Sequence, residues 1–164
     1  TAVTIVNSTS VTKFLDATIP AGTLGTDGVV RVRMGGTFQN SSGVNKNGVV
    51  SVYLGATKIY DSGTSQNLVT NANSPAWDLN FCVGAVNSTA VQYLTGVMSW
   101  GNRISATTGY SHALYAAATY PGNPFGADAA EDSTADLKLE VRFNWTTAHA
   151  SLTITRDWAI VEVL

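Results

Sequence analysis

The sequence predicts an all-β protein: an antiparallel β-sandwich of about eight strands in one domain, residues 1–164. Three observations predict it. First, Asp136–Trp145, D-L-K-L-E-V-R-F-N-W, alternates without a break. Leu137, Leu139, Val141, Phe143 and Trp145 fall on one parity, and Asp136, Lys138, Glu140, Arg142 and Asn144 on the other. Side chains of a strand alternate between faces with period two, so this is a strand with one dry and one wet face. Second, weaker copies of the same alternation recur along the chain between turn-rich connections. Third, no stretch carries a convincing helical period. A strand with five large apolar side chains on one face needs a second apolar sheet about 10 Å away.

Thr1–Ser10 alternates weakly, with Val3 and Ile5 against Ala2, Thr4 and Val6. Lys13–Ile19 is a short strand with Phe14 as its largest side chain. Ile19–Gly28 is a loop, because Pro20 cannot donate to a ladder and Gly22, Gly25 and Gly28 permit positive φ. Val29–Phe38 is a strong strand, with Val30, Val32 and Met34 opposed to Arg31 and Arg33. Gly35-Gly36 near its end marks a bulge or a close backbone approach. Asn40–Gly48 reads as turn chemistry, with Asn47-Gly48 a tight-turn pair. Val49–Leu54 follows, and Ala56–Tyr60 pairs back across Gly55.

Asp61–Pro75 reads as a long polar loop. Ala76–Val83 alternates again, with Trp77, Leu79, Phe81 and Val83 on the dry side. Val91–Trp100 continues the series, with a bend at Gly96. Asn102–Asp132 is the least regular third, and Ala113–Ala118 is the one place where a helical turn is expected. His149 sits in a polar loop before the last strand, Leu152–Val163. That strand is apolar on both parities: Leu152, Ile154, Trp158 and Ile160 on one, Ala159, Val161 and Val163 on the other. Either a bulge near Arg156-Asp157 flips the phase, or another subunit covers the outer face, and the subunit contact is favoured. Trp158, Ile160, Val161 and Val163 are its expected contact residues. The regular spacing of short strands makes the sandwich one of jelly-roll type.

The 164 residues suffice for a core that buries about 70% of the unfolded surface. The single cysteine, Cys82, rules out an intrachain disulfide and argues against a cysteine-based zinc site. A formal charge of −2 and the lack of any basic run argue against a nucleic-acid partner. No stretch is long and apolar enough for a spanning helix, so no membrane partner is expected. The start, T-A-V-T-I-V-N, lacks the charged opening and apolar middle of a signal peptide, and reads as a complete chain that has lost its initiator methionine. Charged residues make up 12%, about half the ordinary share, with Ser, Thr, Asn and Gly in their place. Such a surface gives up some protection against self-association.

Chemistry is sparse. His112 and His149 stand far apart in loops, and there is no G-x-S-x-G elbow, so a hydrolase is not expected. Asp128, Glu131, Asp132 and Asp136 cluster in one loop. They supply oxygen ligands of the kind Ca²⁺ takes, but without EF-hand spacing, and a solvated acidic loop is the favoured reading. No cofactor or metal is expected. Trp100, Tyr110, Tyr115 and Tyr120 lie in or near the irregular segment, where exposed aromatics could stack on sugar rings; the competing reading makes Trp100 core and the tyrosines a subunit seam.

The run I-P-A-G-T-L-G-T-D-G-V-V-R-V-R, Ile19–Arg33, followed by G-T-F and an N-S-S-G turn, resembles small jelly-roll proteins of tailed-bacteriophage virions. The ending L-T-I-T-R-D-W-A-I-V-E-V-L, Leu152–Leu164, is similar to the last strand of the same group. The resemblance implies a virion surface protein, commonly a homotrimer, and carries no catalytic signature. It implies either a capsid decoration (cement) protein on the lattice of the major capsid protein, or the head of a tail or head fibre that binds a receptor or saccharide. The absence of a fibrous shaft or coiled-coil heptads favours the cement protein. The expectation is therefore a structural protein, not an enzyme, made in the bacterial host cytoplasm and placed on the capsid exterior.

Overall fold

A computed structural model describes residues 1–63, 66–68, 70, 74–100, 110–114 and 130–164; at Gln66, Asn67, Trp100 and Tyr110–Leu114 only the backbone is described. Eleven strands are found among them, more than the eight expected: β1 (Val3–Val6), β2 (Thr12–Ile19), β3 (Val29–Asn40), β4 (Lys46–Leu54), β5 (Thr57–Asp61), β6 (Gln66–Leu68), β7 (Ala76–Ala85), β8 (Gln92–Trp100), β9 (Tyr110–Leu114), β10 (Leu137–Trp145) and β11 (Leu152–Val163). No described residue is helical, and none belongs to a helix long and apolar enough to cross a membrane.

The strands form two antiparallel sheets. The six-stranded sheet runs β1-β11-β3-β7-β8-β9; the five-stranded sheet runs β2-β10-β4-β5, with β6 also on β4. Their apolar faces close on one another as a β-sandwich. Val30, Val32, Met34, Leu79, Phe81 and Val83 from the first sheet meet Val50, Val52, Leu54, Leu139, Val141 and Phe143 from the second in one buried cluster. An aromatic run crosses the gap: Phe14 of β2 stacks on Trp77 of β7 at 5.6 Å and on Phe143 of β10 at 5.6 Å, and Phe143 meets Trp145 edge-on. Phe14 reaches it through a bulge. Leu15 pairs with Val141 and Lys13 with Arg142, so Phe14 is the extra residue and turns into the core.

Several expectations are corrected here. Strand β3 continues past Phe38 to Asn40, so Gly35-Gly36 lies in its interior, and the pair does sit opposite a bulge and in close backbone approach. Asn47-Gly48 is paired strand, not a turn; the turn lies at Ser41–Asn45. It is organised by the fully buried Asn40, whose side-chain amide donates to the Val44 and Leu68 carbonyls while its oxygen accepts from the Ser42 amide. The polar stretch Asp61–Pro75 contains β6, whose three residues are too few to show a period. Part of Asn102–Asp132 is strand β9, so Ala113 and Leu114 are extended, and His112 is in a strand opposite Met98 rather than a loop. Ala116–Ala118 lie outside the described residues.

Candidate functional site

The outer faces of the two sheets differ. On the five-stranded sheet most charges find an opposite one. Glu140 lies beneath Lys13 and Arg142 and is bonded to both. Lys13 also reaches Asp16 at 2.9 Å, Lys58 reaches Asp61 at 2.6 Å, and the Arg142 guanidinium lies 3.8 Å from the Tyr53 ring centre. The Lys13 hydrogen bond, then that of Arg142, holds the Glu140 carboxyl below its ordinary range despite the opposing cost of burial. Glu140 in turn raises the Lys13 ammonium.

On the six-stranded sheet the register sets three outer rows across β11, β3, β7 and β8. They are Trp158–Gly35–Asp78–Ser99, Ile160–Arg33–Asn80–Val97 and Glu162–Arg31–Cys82–Thr95. A shallow open depression is lined by Arg31, Arg33, Asn80, Cys82, Thr95 and Val97. Glu162 stands 3.9 Å from Arg31. Among the described residues no ion pair is formed by Arg33 or Asp78.

The bulge near Arg156-Asp157 is present. Arg156 pairs with Gly36 and Trp158 with Gly35, which leaves Asp157 extra. Before it, Leu152 and Ile154 face the core. After it, Ala159, Val161 and Val163 take that side, opposite Met34, Val32 and Val30, while Trp158 and Ile160 turn outward. The glycine pair makes room for this. A Cβ on Gly36 would lie 1.8 Å from the Thr155 carbonyl oxygen, and one on Gly35 would lie 2.9 Å from the Trp158 ring. Trp158 therefore lies across Gly35 and covers its bare backbone.

The flip does not remove the grease. Trp158 is 42% exposed, Ile160 46%, Val161 39% and Val163 64%. The four expected contact residues are thus together, on both faces of one strand end. They are exposed because β1 flanks β11 only from Thr153 to Arg156; beyond that point no described strand pairs with the outer side of β11.

The other expected residues fare differently. Trp100 and Tyr110 are register partners in β8 and β9. Tyr115 and Tyr120 lie outside the described residues, as does Asp128. The remaining acidic-loop carboxylates are neither merely solvated nor gathered for a cation: no metal-binding group of His, Cys, Asp and Glu occurs among the described residues. Glu131 Oε1 accepts from the Ala56 and Thr57 amides and the Thr57 hydroxyl, at 3.1, 2.9 and 2.6 Å, and closes the β4–β5 turn over Gly55. Asp136 accepts from the Ala21 amide, and Asp132 from the Thr134 amide and hydroxyl. The buried Gln92 amide bonds the Glu131 backbone in both directions. Buried Ser133 donates to the Gly25 and Thr89 carbonyls. These side chains clasp four connections at one end of the sandwich. His149 is in its expected loop, where its Nδ1 accepts from the Ser151 amide.

No protein-family model matches the chain, and no curated protein matches it. The site therefore rests on its own geometry. Sequence reasoning missed the open backbone edge beside the contact residues, and the one signal for it was the phase break opposite a mid-strand glycine pair.

Proposed function

We propose that this protein is a structural protein of a tailed-bacteriophage virion, a capsid decoration protein that binds the outside of the shell as a homotrimer. The observation that carries the reading is the exposed, doubly apolar half of β11 on a molecule whose other sheet is largely ion-paired. Such a strand end suits contact between subunits. The resemblance supplies the location and the number three. The strand order supports the jelly-roll reading: β1-β11-β3-β7 faces β2-β10-β4-β5, with the chain crossing repeatedly between sheets and β8 and β9 extending the first.

The mechanism is mass action. A protein that binds only the assembled shell stabilises it by its binding free energy, and many copies on a lattice add through avidity. No catalytic step enters, so the protein is an assembly factor rather than an enzyme. The alternative, a receptor- or carbohydrate-binding fibre head, draws on the adjacency of Trp100 and Tyr110.

Two measurements test the reading. Purified protein should bind empty expanded shells and raise their melting temperature; binding to a defined sugar on a glycan array, with no shell binding, would favour the fibre head. Trp158→Asp should lower the mass seen by light scattering, and an unchanged native mass would remove β11 from the seam.

A further inference from the structure

We propose that the open edge of β11 pairs antiparallel with the same edge of a second copy, about a twofold axis at Val161. The inference rests on β11 as a contact between copies and takes that reading further, to the hydrogen bonds that make the contact.

The ladder fixes which groups are free. Leu164 N donates to Val29 O at 2.9 Å, so Leu164 and Val29 form a hydrogen-bonded pair. Such pairs alternate along an antiparallel ladder. The register then makes Glu162/Arg31, Ile160/Arg33 and Trp158/Gly35 the bonded pairs on the β3 side. The backbone groups of Ala159, Val161 and Val163 point the other way, where no described strand lies. Three N–H and three C=O groups thus form an edge that only an extended strand can satisfy in full.

The side chains select the strand. The partner must be apolar on both parities, since Trp158 and Ile160 line one face of the edge and Val161 and Val163 the other. The edges of the five-stranded sheet are guarded by charge, as native edges usually are: β2 carries Lys13 and Asp16, and β5 carries Lys58 and Asp61. The half-strand Trp158–Leu164 holds one charge, Glu162, already beside Arg31. It meets its own requirement. With the axis at Val161, Val161 bonds Val161 of the copy and Ala159 bonds Val163, so all three free residues are satisfied in both chains. Trp158 then faces Leu164, Ile160 faces Glu162, and no like charges meet. An axis at Ile160 would put Val163 opposite the bulged Asp157. The pairing joins two six-stranded sheets into one, and it brings together two copies, so a threefold contact would have to use other surfaces.

The test uses the whole chain. An even-numbered assembly is expected by light scattering, a hexamer where the proposed trimer forms through other surfaces, with the Ala159, Val161 and Val163 amides at least a hundredfold more protected from exchange than in dilute protein. Val161→Pro removes an N–H that the β3 ladder does not use. It should halve that mass and keep a cooperative melt. In a Cys82→Ser background, Val161→Cys should cross-link on oxidation, because bonded pairs sit about 5.5 Å apart between Cα atoms, within disulfide reach. An odd-numbered assembly, or freely exchanging edge amides, overturns the pairing and leaves the assembly reading standing. A monomer at high concentration overturns both and leaves the edge to a strand of another protein.

Discussion

The indole N–H of Trp77 donates to the carbonyl oxygen of Thr155 at 3.0 Å, across the position where Gly36 lacks a side chain. Trp77 is on β7, Thr155 on β11, and Gly36 on the strand between. The bulge turns this carbonyl toward the core, and the indole satisfies it there. Trp77 also stacks on Phe14 from the opposite sheet, so one ring ties the phase change in β11 to the packing of the sandwich.

Gly36→Ala should therefore be among the most damaging small substitutions, costing at least about 3 kcal/mol, because a Cβ would collide with backbone rather than a yielding side chain. Trp77→Phe keeps much of the stack and removes the donor, at about 1–3 kcal/mol. Urea denaturation measures both. Equal stability of Gly36→Ala and the parent would mean that the bulge can move.

Phe14→Ala should cost about 3–5 kcal/mol, since the ring is buried and touches aromatic rings of both sheets. Val11→Ala, just before β2 and exposed, should change stability by less than about 0.5 kcal/mol. The pair separates core packing from the loss of exposed apolar surface in a single thermal series.

Glu131→Ala should loosen the β4–β5 turn and cost about 2 kcal/mol, because three donors lose their acceptor. Glu131→Gln should be milder, as its carbonyl oxygen can still accept. EDTA should leave the melting temperature unchanged, and a large drop would restore the Ca²⁺ reading of the acidic loop.

Acid should weaken the fold through Glu140. Its folded carboxyl titrates below the ordinary value of 4.5, chiefly through the Lys13 hydrogen bond, so between the two values the unfolded chain binds more protons. The stabilisation is present above pH 4.5 and is lost as pH falls through the folded value. Glu140→Gln should flatten the stability profile in that range, measured by denaturation at a series of pH values.

Alkali should act through Tyr60. Burial raises its phenol to about 12, from an ordinary 10.0. The folded state holds the proton longer, so the stabilisation is complete below pH 10 and is lost as pH rises toward 12. Tyr60→Phe should remove this loss and leave stability at neutral pH nearly unchanged.

The sandwich was legible where water marks one face of a strand. β10 shows this best, with every second residue apolar and the rest ion-paired or solvated. Legibility failed where a side chain stood in for local turn chemistry. Asn40 organises its turn from a buried position, so Asn47-Gly48 was free to be strand. The carboxylate clasp was hidden because its partners are remote: Asp136 and Ala21 are 115 positions apart, and Glu131 and Ala56 are 75 apart. The apolar end of β11 was visible as a cluster and its register shift as a phase break near Arg156-Asp157, but the early end of β1 leaves no compositional trace.

Asp157 behaves like a frameshift written into the pleat. Deleting this single residue would leave the present pairing in place, with Trp158 and Ile160 still outward, whereas seating it in the ladder opposite Gly35 would carry Trp158 and Ile160 inward and turn Ala159, Val161 and Val163 to the outside. The large side chains and the small ones would then trade places along half a strand. One residue left out of step thus decides which set of side chains the molecule shows its neighbours.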